Sequence, residues 1–186
     1  MYIAHRDVKP ENVVIMKGHD ILVTQQSCDE QKKQKQKQRM RVKLIDFGSG
    51  ITLQDEKDWN KILTECSGTL NYMSPERYKP YVLWQAYASD VWSVGVICYE
   101  MLFRKRLFAL SNSPSALKKQ VTSGAWTFPE HCQHHLAEHF IQSLLTLRPN
   151  HRCTARHALK HPFLSRHYYQ SSSAWQQDLY TYLPKS

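Results

Sequence analysis

The amino-acid sequence predicts an α+β fold that is mainly α, in which one short β hairpin lies beside several helices. Three observations favour this fold class. Two short apolar runs, residues 13–15 and 42–45, have the length and the branched side chains of strands that pair with each other. Residues 89–103 are apolar on almost every face, which is typical of a helix buried at the centre of a domain. Residues 136–147 place their apolar side chains on one helical face.

Several signals predict where these elements begin and end. Ser89 is expected to start the central helix, and Thr154 is expected to cap a third helix that Pro162 stops. Gly48 and Gly50 are expected to let the chain bend after Asp46.

Length and composition indicate one globular domain. The chain has 186 residues, 41% of them hydrophobic and five of them Trp, which suffices for a sizeable core. The net charge of +9 arises from 25 basic and 16 acidic residues. Seven of the cations lie in one stretch without an acid and account for all but +2 of that charge; they are Lys32, Lys33, Lys35, Lys37, Arg39, Arg41 and Lys43. The basic character is therefore local, and we expect no nucleic-acid partner.

The cysteines and the apolar runs indicate the compartment. The five cysteines are scattered without a C-x-x-C pair, which favours a reducing environment. The N-terminal residues lack the pattern of a secretory signal. The longest apolar run, residues 91–103, contains Ser93 and Glu100 and is too short to cross a bilayer. We therefore expect an intracellular protein of the cytoplasm or nucleus that is not secreted and does not enter a membrane.

The polar residues of the chain form a series of short motifs. Residues 5–12 combine an acid, two cations and an amide and lead directly into the first strand-like run. A carboxylate beside a hydroxyl can accept its proton, and an amide oxygen can hold a magnesium ion. Asp46-Phe47-Gly48 follows 39 residues after Asp7, and residues 68–76 and 89–95 come next.

These segments, in this order, resemble the C-terminal lobe of a eukaryotic protein kinase. Residues 5–12 match the H-R-D-x-K-x-x-N loop, residues 46–48 match D-F-G, and residues 74–76 are an S-P-E variant of A-P-E. Lys9 within this loop resembles the serine/threonine branch of the family. The resemblance implies transfer of the ATP γ-phosphate to serine or threonine hydroxyls of a protein substrate, with Mg²⁺ as the metal.

The resemblance also implies a domain organisation. Residues 1–165 are expected to form the C-terminal lobe, and residues 166–186 an aromatic-rich tail that either docks on the lobe or hangs free. The sequence shows no glycine-rich loop, no V-A-I-K lysine and no helix with a partner glutamate, so we expect the N-terminal lobe to be absent. The polypeptide 1–186 is therefore expected to be inactive or nearly so. The alternative function is a non-catalytic kinase-like binding or scaffold module.

Residues 25–41 are polar, basic and rich in glutamine, and they separate the two expected hairpin strands. Such a composition offers too little apolar surface to fold, so we expect a solvated insertion. A localisation signal or a patch for an anionic partner is the alternative.

The family's catalytic residues can be carried over one by one. Asp7 matches the catalytic base, and Lys9 matches the cation that neutralises the transferring phosphoryl group. Asn12 and Asp46 match the magnesium ligands, and Val14 matches the apolar floor under the adenine. The structural alternative for Asp7 is a surface aspartate that caps a turn. As isolated residues, Asn12 and Asp46 would be ordinary turn formers, and Val14 could belong to the core.

Other positions match the family's supporting residues. Thr69 matches the threonine that holds the catalytic aspartate and lysine in place. Glu76 and Arg152 match a buried ion pair, and Asp90 matches the aspartate that anchors the backbone of the catalytic loop.

Residues 49–76 resemble the activation segment, with candidate hydroxyls at Thr52, Thr64, Ser67 and Thr69. Glu65 occupies the position at which many relatives carry an activating phosphate, and Arg6 is the cation that would receive it. Thr64 is the competing phosphosite, and a solvated Glu65 without this role is the simpler alternative.

A histidine cluster suggests a rival metal site. His135 and His139 are four residues apart and could share a zinc ion on a helix. His131, Cys132 and His134 precede them, but the cluster lacks both an H-E-x-x-H pattern and a C-x-x-C pair.

Overall fold

The computed structural model describes residues 2–17, 40–53, 68–79, 85–108, 113–130 and 134–164. These ranges are mainly helical and contain two small antiparallel sheets. The strands are β1 (Tyr2–Ala4), β2 (Val13–Lys17), β3 (Met40–Leu44) and β4 (Ile51–Leu53). The helices are α1 (Ala86–Phe103), α2 (Pro114–Ser123), α3 (His135–Leu144) and α4 (Ala155–Ala158).

The predicted hairpin is present. Strand β2 pairs antiparallel with β3, and Val14 lies opposite Lys43 while Ile15 lies opposite Val42. Met40 and Arg41 belong to β3, so the expected insertion boundary at Arg41 is wrong by two residues. The rest of the insertion lies outside the described residues.

A second sheet was not predicted. Strand β1 pairs antiparallel with β4, with Ile3 opposite Thr52. Strands of three residues carry little periodic signal, so only the fold reveals this pairing. The two sheets bracket residues 5–12 and bring them beside residues 45–50.

Helix α1 is the central element, but it begins at Ala86, so the prediction that Ser89 starts it was wrong. Ser89 is buried within the helix, and its Oγ accepts a hydrogen bond of 2.9 Å from the Ser74 hydroxyl. Its side chain is therefore used in a tertiary contact and does not cap the helix. Trp92 and Val96 are fully buried in the main core.

Helices α1 and α3 pack against each other where Gly95 faces Leu144 and Leu145. A Cβ atom at Gly95 would lie 2.8 Å from Leu145 Cδ2 and 2.9 Å from Leu144 Cβ, so the close approach requires glycine. Helix α3 ends at Leu144. Leu145 remains buried beyond its end, whereas Leu147, predicted on the same apolar face, is 39% exposed.

Helix α2 was not predicted from the sequence. Two signals in the sequence mark its ends. Pro114 is its first residue, and Gly124 comes directly after its last residue and has a left-handed φ of 66°. Leu117 and Val121 are its buried residues. With only two core positions, its apolar pattern is weak.

Helix α4 begins as predicted, because Thr154 Oγ1 accepts a hydrogen bond of 3.2 Å from the His157 amide. The predicted stop was wrong. The helix ends at Ala158, and Pro162 opens a separate 3₁₀ turn, Pro162–Leu164.

An apolar cavity of about 770 Å³ lies along α1, α3 and α4. Met101 and Leu159, which line it, are 71% and 76% exposed. Central helix α1 is therefore buried on one side and open on the other. No helix within the described ranges is long and apolar enough to span a membrane.

Candidate active site

The loop that carries Asp7 is fixed through its backbone. Arg6 adopts a left-handed conformation with φ of 68°. The Asp90 carboxylate accepts hydrogen bonds from the amides of His5, at 2.7 Å, and Arg6, at 2.8 Å. Burial raises the pKa of Asp90 in spite of these two bonds. Asp90 thus holds an unfavourable backbone turn, which matches the position expected for it.

Asp7, Lys9 and Thr69 form one network around the Asp7 carboxylate. The Thr69 amide donates to Asp7 Oδ1 at 2.8 Å, and Lys9 Nζ lies 2.9 Å from Asp7 Oδ2. Lys9 Nζ also donates to Thr69 Oγ1 at 3.0 Å. Residues far apart in the sequence therefore form one closed network around the carboxylate.

The network sets the charge of both ionisable groups. Burial alone would raise the pKa of Asp7, but hydrogen bonds from Lys9 and Thr69 outweigh it and lower the pKa. The hydrogen bond to Asp7 raises the pKa of Lys9, and the charges of Glu11 and Asp46 act in the same direction. Both groups are ionised at neutral pH.

Asn12 is buried beside the same carboxyl group, at the end of a 3₁₀ turn over Pro10–Asn12. The side-chain nitrogen of Asn12, Nδ2, donates a hydrogen bond to the Asp7 carbonyl at 2.9 Å. The side-chain oxygen of Asn12 is therefore the atom that can bind a cation. The Ile45 amide donates to the Asn12 carbonyl at 2.9 Å and ties this turn to the segment that carries Asp46.

Asp46 lies at the sharpest point of that segment, with φ of 62°, and its Oδ1 accepts from the Gly48 amide at 3.3 Å. Gly48 and Gly50 do not have a positive φ, but a Cβ atom at Gly50 would lie 2.9 Å from the Phe47 carbonyl oxygen, so the bend after Asp46 leaves no room for a side chain at Gly50. Asp46 is exposed and near enough to Lys9 to influence it. An amide oxygen and a carboxylate together fit magnesium, which prefers oxygen ligands.

His5 links the two segments and was not among the predicted site residues. Its Nε2 lies 2.8 Å from the Ile45 carbonyl, and its ring centroid lies 4.6 Å from that of Phe47. The signal was present in the sequence, because His5 opens the same eight-residue motif as Asp7.

Gly68 was also missed as a supporting residue. It has φ of 107°, and a Cβ atom there would lie 2.7 Å from the Arg6 carbonyl. Any other residue would push apart the loop that carries Asp7 and the turn that carries Thr69.

Glu76 and Arg152 form a buried bidentate ion pair. Arg152 Nη1 donates to Glu76 Oε1 at 2.8 Å, and Nη2 donates to Oε2 at 2.9 Å. The guanidinium also lies 5.1 Å from the centre of the Trp92 ring. The pair therefore connects the 3₁₀ turn Pro75–Tyr78 with the core.

Of the remaining predicted site residues, the structure describes two, Val14 and Arg6. Val14 is 38% exposed on β2, so packing in the core does not account for it. Arg6 is buried, and its carbonyl accepts from Arg77 Nη1 at 2.8 Å. Thr64, Glu65 and Ser67 lie outside the described residues.

In the structure His135 and His139 each contact a different partner. His139 Nδ1 lies 2.8 Å from His161 Nε2, and His135 Nδ1 lies 3.5 Å from Glu138. Within the described ranges, no group of three His, Cys, Asp or Glu residues could hold a metal ion. His131 and Cys132 lie outside those ranges.

Comparison with known proteins gives a family-level match over most of the chain. The protein kinase domain matches residues 1–164. An Aurora kinase of Encephalitozoon cuniculi is 30% identical over 171 residues, which cover 91% of this chain and 52% of that protein. The calcium/calmodulin-dependent protein kinase type II alpha chain of Drosophila melanogaster is 30% identical over 98% of this chain and 31% of its own length. A calcium and calcium/calmodulin-dependent serine/threonine-protein kinase of Lilium longiflorum is 32% identical over 87% of this chain and 27% of its length.

The chain thus spans about half of the Aurora kinase and about a third or less of the other two. Together with the order of the motifs, these matches show that the chain belongs to the eukaryotic serine/threonine protein kinase superfamily.

Proposed function

We propose that the chain is the C-terminal lobe of a protein kinase catalytic domain, which transfers the γ-phosphate of ATP to serine or threonine hydroxyls of a protein substrate. In this proposal residues 1–165 form the lobe, and residues 166–186 are a tail outside it. The observation that carries the proposal is the closed network of Asp7, Lys9 and Thr69. Because the five cysteines are scattered without a C-x-x-C pair, as is typical of proteins in a reducing compartment, we place the protein in the cytoplasm or nucleus.

Asp7 acts on the substrate hydroxyl. Its low pKa makes it a weak base, so its main task is to accept a hydrogen bond from the hydroxyl and to aim the oxygen at the γ-phosphorus. As the new O–P bond forms and the bond to the β-phosphate oxygen breaks, the hydroxyl proton passes to Asp7 and ADP leaves.

Lys9, Asn12 and Asp46 act on the phosphate side. Lys9 stays protonated and faces the carboxylate from within the network, where it offsets negative charge on the phosphoryl group. The oxygens of Asn12 and Asp46 would hold magnesium, which supplies charge neutralisation at the phosphates when bound. Val14 is exposed on β2, as an apolar contact for adenine requires.

The test compares the chain with a fusion to the N-terminal lobe of a serine/threonine kinase relative. The polypeptide 1–186 alone should show little or no transfer, because it carries no glycine-rich cover or lysine to position the phosphates. The fusion should transfer labelled phosphate to a serine peptide in the presence of Mg²⁺. Asp7→Asn should lower kcat by about 10²-fold or more with little effect on KM.

Glu130→Gln is the matched control, since it removes an exposed carboxylate away from the network. Transfer by the fusion that Asp7→Asn leaves unchanged would overturn the proposed role of Asp7. A fusion that binds peptide and nucleotide but transfers nothing would favour the non-catalytic binding module.

A further inference from the structure

The apolar cavity along α1 has the shape of a site for a second helix. The residues of α1 that line it are spaced as one helical face, and they are Val94, Ile97, Cys98 and Met101. Val94 and Met101 are large apolar side chains that are exposed. Spacing of this kind is typical of a helix face that packs against another helix.

The cavity offers mainly apolar contacts to an occupant. His5 and Asp90 also line it. However, His5 Nε2 lies 2.8 Å from the Ile45 carbonyl, and the Asp90 carboxylate already accepts hydrogen bonds from two loop amides. Leu159 and Leu164 complete the apolar lining on the side of α4. A segment that fills the cavity must therefore present apolar side chains to it.

The chain itself arrives at the edge of this cavity. Leu164 lines the cavity and is the final residue of the range 134–164. The tail, residues 166–186, follows closely and lies outside the described residues. Residues 165–173 can extend over about 30 Å, whereas the α1 face from Val94 to Met101 is about 10 Å long. Any segment that begins near residue 174 is thus tethered within reach of the whole cavity, and such a tether raises its effective concentration there.

The sequence of the tail predicts an amphipathic helix over residues 174–183. Residues 173–176, Ser-Ala-Trp-Gln, have the spacing of a capping box, and Pro184 provides a stop signal. Between these signals the large apolar residues recur at i, i+4, i+7 and i+8, on one helical face; they are Trp175, Leu179, Tyr182 and Leu183. A helix of this length is marginal on its own in water, so its apolar face needs a partner.

The charge of the tail also suits an apolar partner. Asp178 is the one charged residue between positions 168 and 184. Gln177 and Thr181 lie on the side of the predicted helix opposite Trp175 and Leu179, and they would face water. The tail therefore combines an apolar face for the cavity with an uncharged polar face for the solvent.

We propose that residues 174–183 dock as a helix in the cavity along α1 of the same molecule, with Trp175, Leu179, Tyr182 and Leu183 against its apolar lining. The pairing is a helix in a groove, in which burial of apolar side chains supplies the free energy. The proposal concerns the architecture of the chain and does not depend on phosphate transfer.

Methyl NMR of the full chain 1–186 tests this docking. The methyl groups of Val94, Met101 and Leu159 report on the cavity. Those of Ile15 and Val42, which are exposed on the β2–β3 hairpin, serve as the reference. Trp175→Gln should shift the cavity resonances and remove their nuclear Overhauser contacts to the indole, because an aromatic ring shifts the resonance of a methyl group that it contacts. The reference resonances should stay in place.

Tyr180→Gln is the matched control, because it removes an aromatic ring from the same segment but away from the predicted apolar face. Unchanged cavity resonances in Trp175→Gln, or equal shifts in the two variants, would overturn the proposal. An unchanged resonance of Val96, which is fully buried, shows that each variant remains folded.

A mixing experiment separates docking within one molecule from docking between two copies. Unlabelled wild type is added to labelled Trp175→Gln. We expect the cavity resonances of the variant to stay at their shifted positions. Their return toward the wild-type positions would show that the tail of a second copy fills the cavity, and it would overturn docking within one chain.

Discussion

At the scale of single residues, two ion pairs show how burial changes the value of the same chemistry. The Glu76–Arg152 pair has side chains that are 5% and 0% exposed, and the guanidinium also donates to the carbonyls of Ala88 and Thr146. The Arg106–Glu100 pair is longer and its cation is half exposed. Water can replace a lost partner in the second pair but not in the first, so the two should differ in their effect on stability.

Glu76→Gln should lower the free energy of unfolding by about 3–5 kcal/mol, because it leaves a buried guanidinium without its countercharge. Arg106→Gln, the comparison at the exposed pair, should cost about 1 kcal/mol or less. Urea unfolding monitored by tryptophan fluorescence measures both values. A loss below about 1 kcal/mol for Glu76→Gln would show that water or another donor reaches the site.

The lowered pKa of Asp7 predicts an acid-sensitive contribution to stability. The ionised carboxylate stabilises the fold above its ordinary pKa of 3.8, and this contribution is lost as the pH falls below 3.8 through the lower pKa of the folded state. Asp7→Asn removes the titrating group. The difference in unfolding free energy between wild type and Asp7→Asn should therefore shrink below pH 3.8.

Unfolding curves at a series of pH values would measure this difference. Asp90 has its pKa shifted in the opposite direction, but it is present in both proteins and its effect cancels. A difference that grows toward acid pH would contradict the assigned direction for Asp7.

At the scale of elements, the pairing of strands β2 and β3 stabilises the hairpin. The hairpin of β2 and β3 closes through five residue pairs, from Val13 with Leu44 to Lys17 with Met40. The register of the hairpin is therefore fixed by the strands and not by the length of their connection.

Replacing residues 25–39 with a short Gly/Ser linker should leave the thermal midpoint nearly unchanged. The removed residues are polar, and the entropy of closing a loop changes only slowly with its length. Calorimetry of the two proteins measures the midpoint. A second variant, in which the linker replaces residues 25–41, serves as the comparison and should destabilise the hairpin. If replacing residues 25–39 alone lowers the thermal midpoint by many degrees, the insertion packs against the rest of the domain.

At the scale of the whole molecule, the apolar cavity beside α1 interrupts the surface formed by the described residues. Val94 and Met101 on α1 and Leu159 after α4 are exposed large apolar side chains that line it. Apolar surface of this extent promotes association between molecules. The solubility of the chain should depend on these few residues more than on its net charge.

Met101→Gln together with Leu159→Gln should reduce aggregation of 1–186 while changing the unfolding free energy by less than about 1 kcal/mol, because both side chains are largely solvent-exposed. Light scattering at increasing protein concentration measures aggregation. Leu164→Gln on the same cavity offers an intermediate case at 38% exposure. Unchanged scattering in the double variant would show that association uses another surface.

The sequence alone was sufficient for the mainly helical fold, the hairpin, the cap at Thr154 and the family, because each depends on local periodicity or on motifs of contiguous residues. It also nominated Asp7, Lys9 and Asn12, which lie within one such motif. The sequence could not predict where α1 begins. Serine is a common helix-capping residue, but the Ser89 hydroxyl instead accepts a hydrogen bond from Ser74 inside the fold.

Only the tertiary structure decided how distant residues meet. Thr69 lies 62 residues from Asp7, and whether its amide reaches that carboxylate depends on the left-handed turn at Arg6 and the close approach at Gly68. The triangle of Tyr72, Glu100 and Arg106 likewise forms only when the turn after Thr69 packs against the end of α1. Such contacts follow from burial and packing across the fold, which no local pattern encodes.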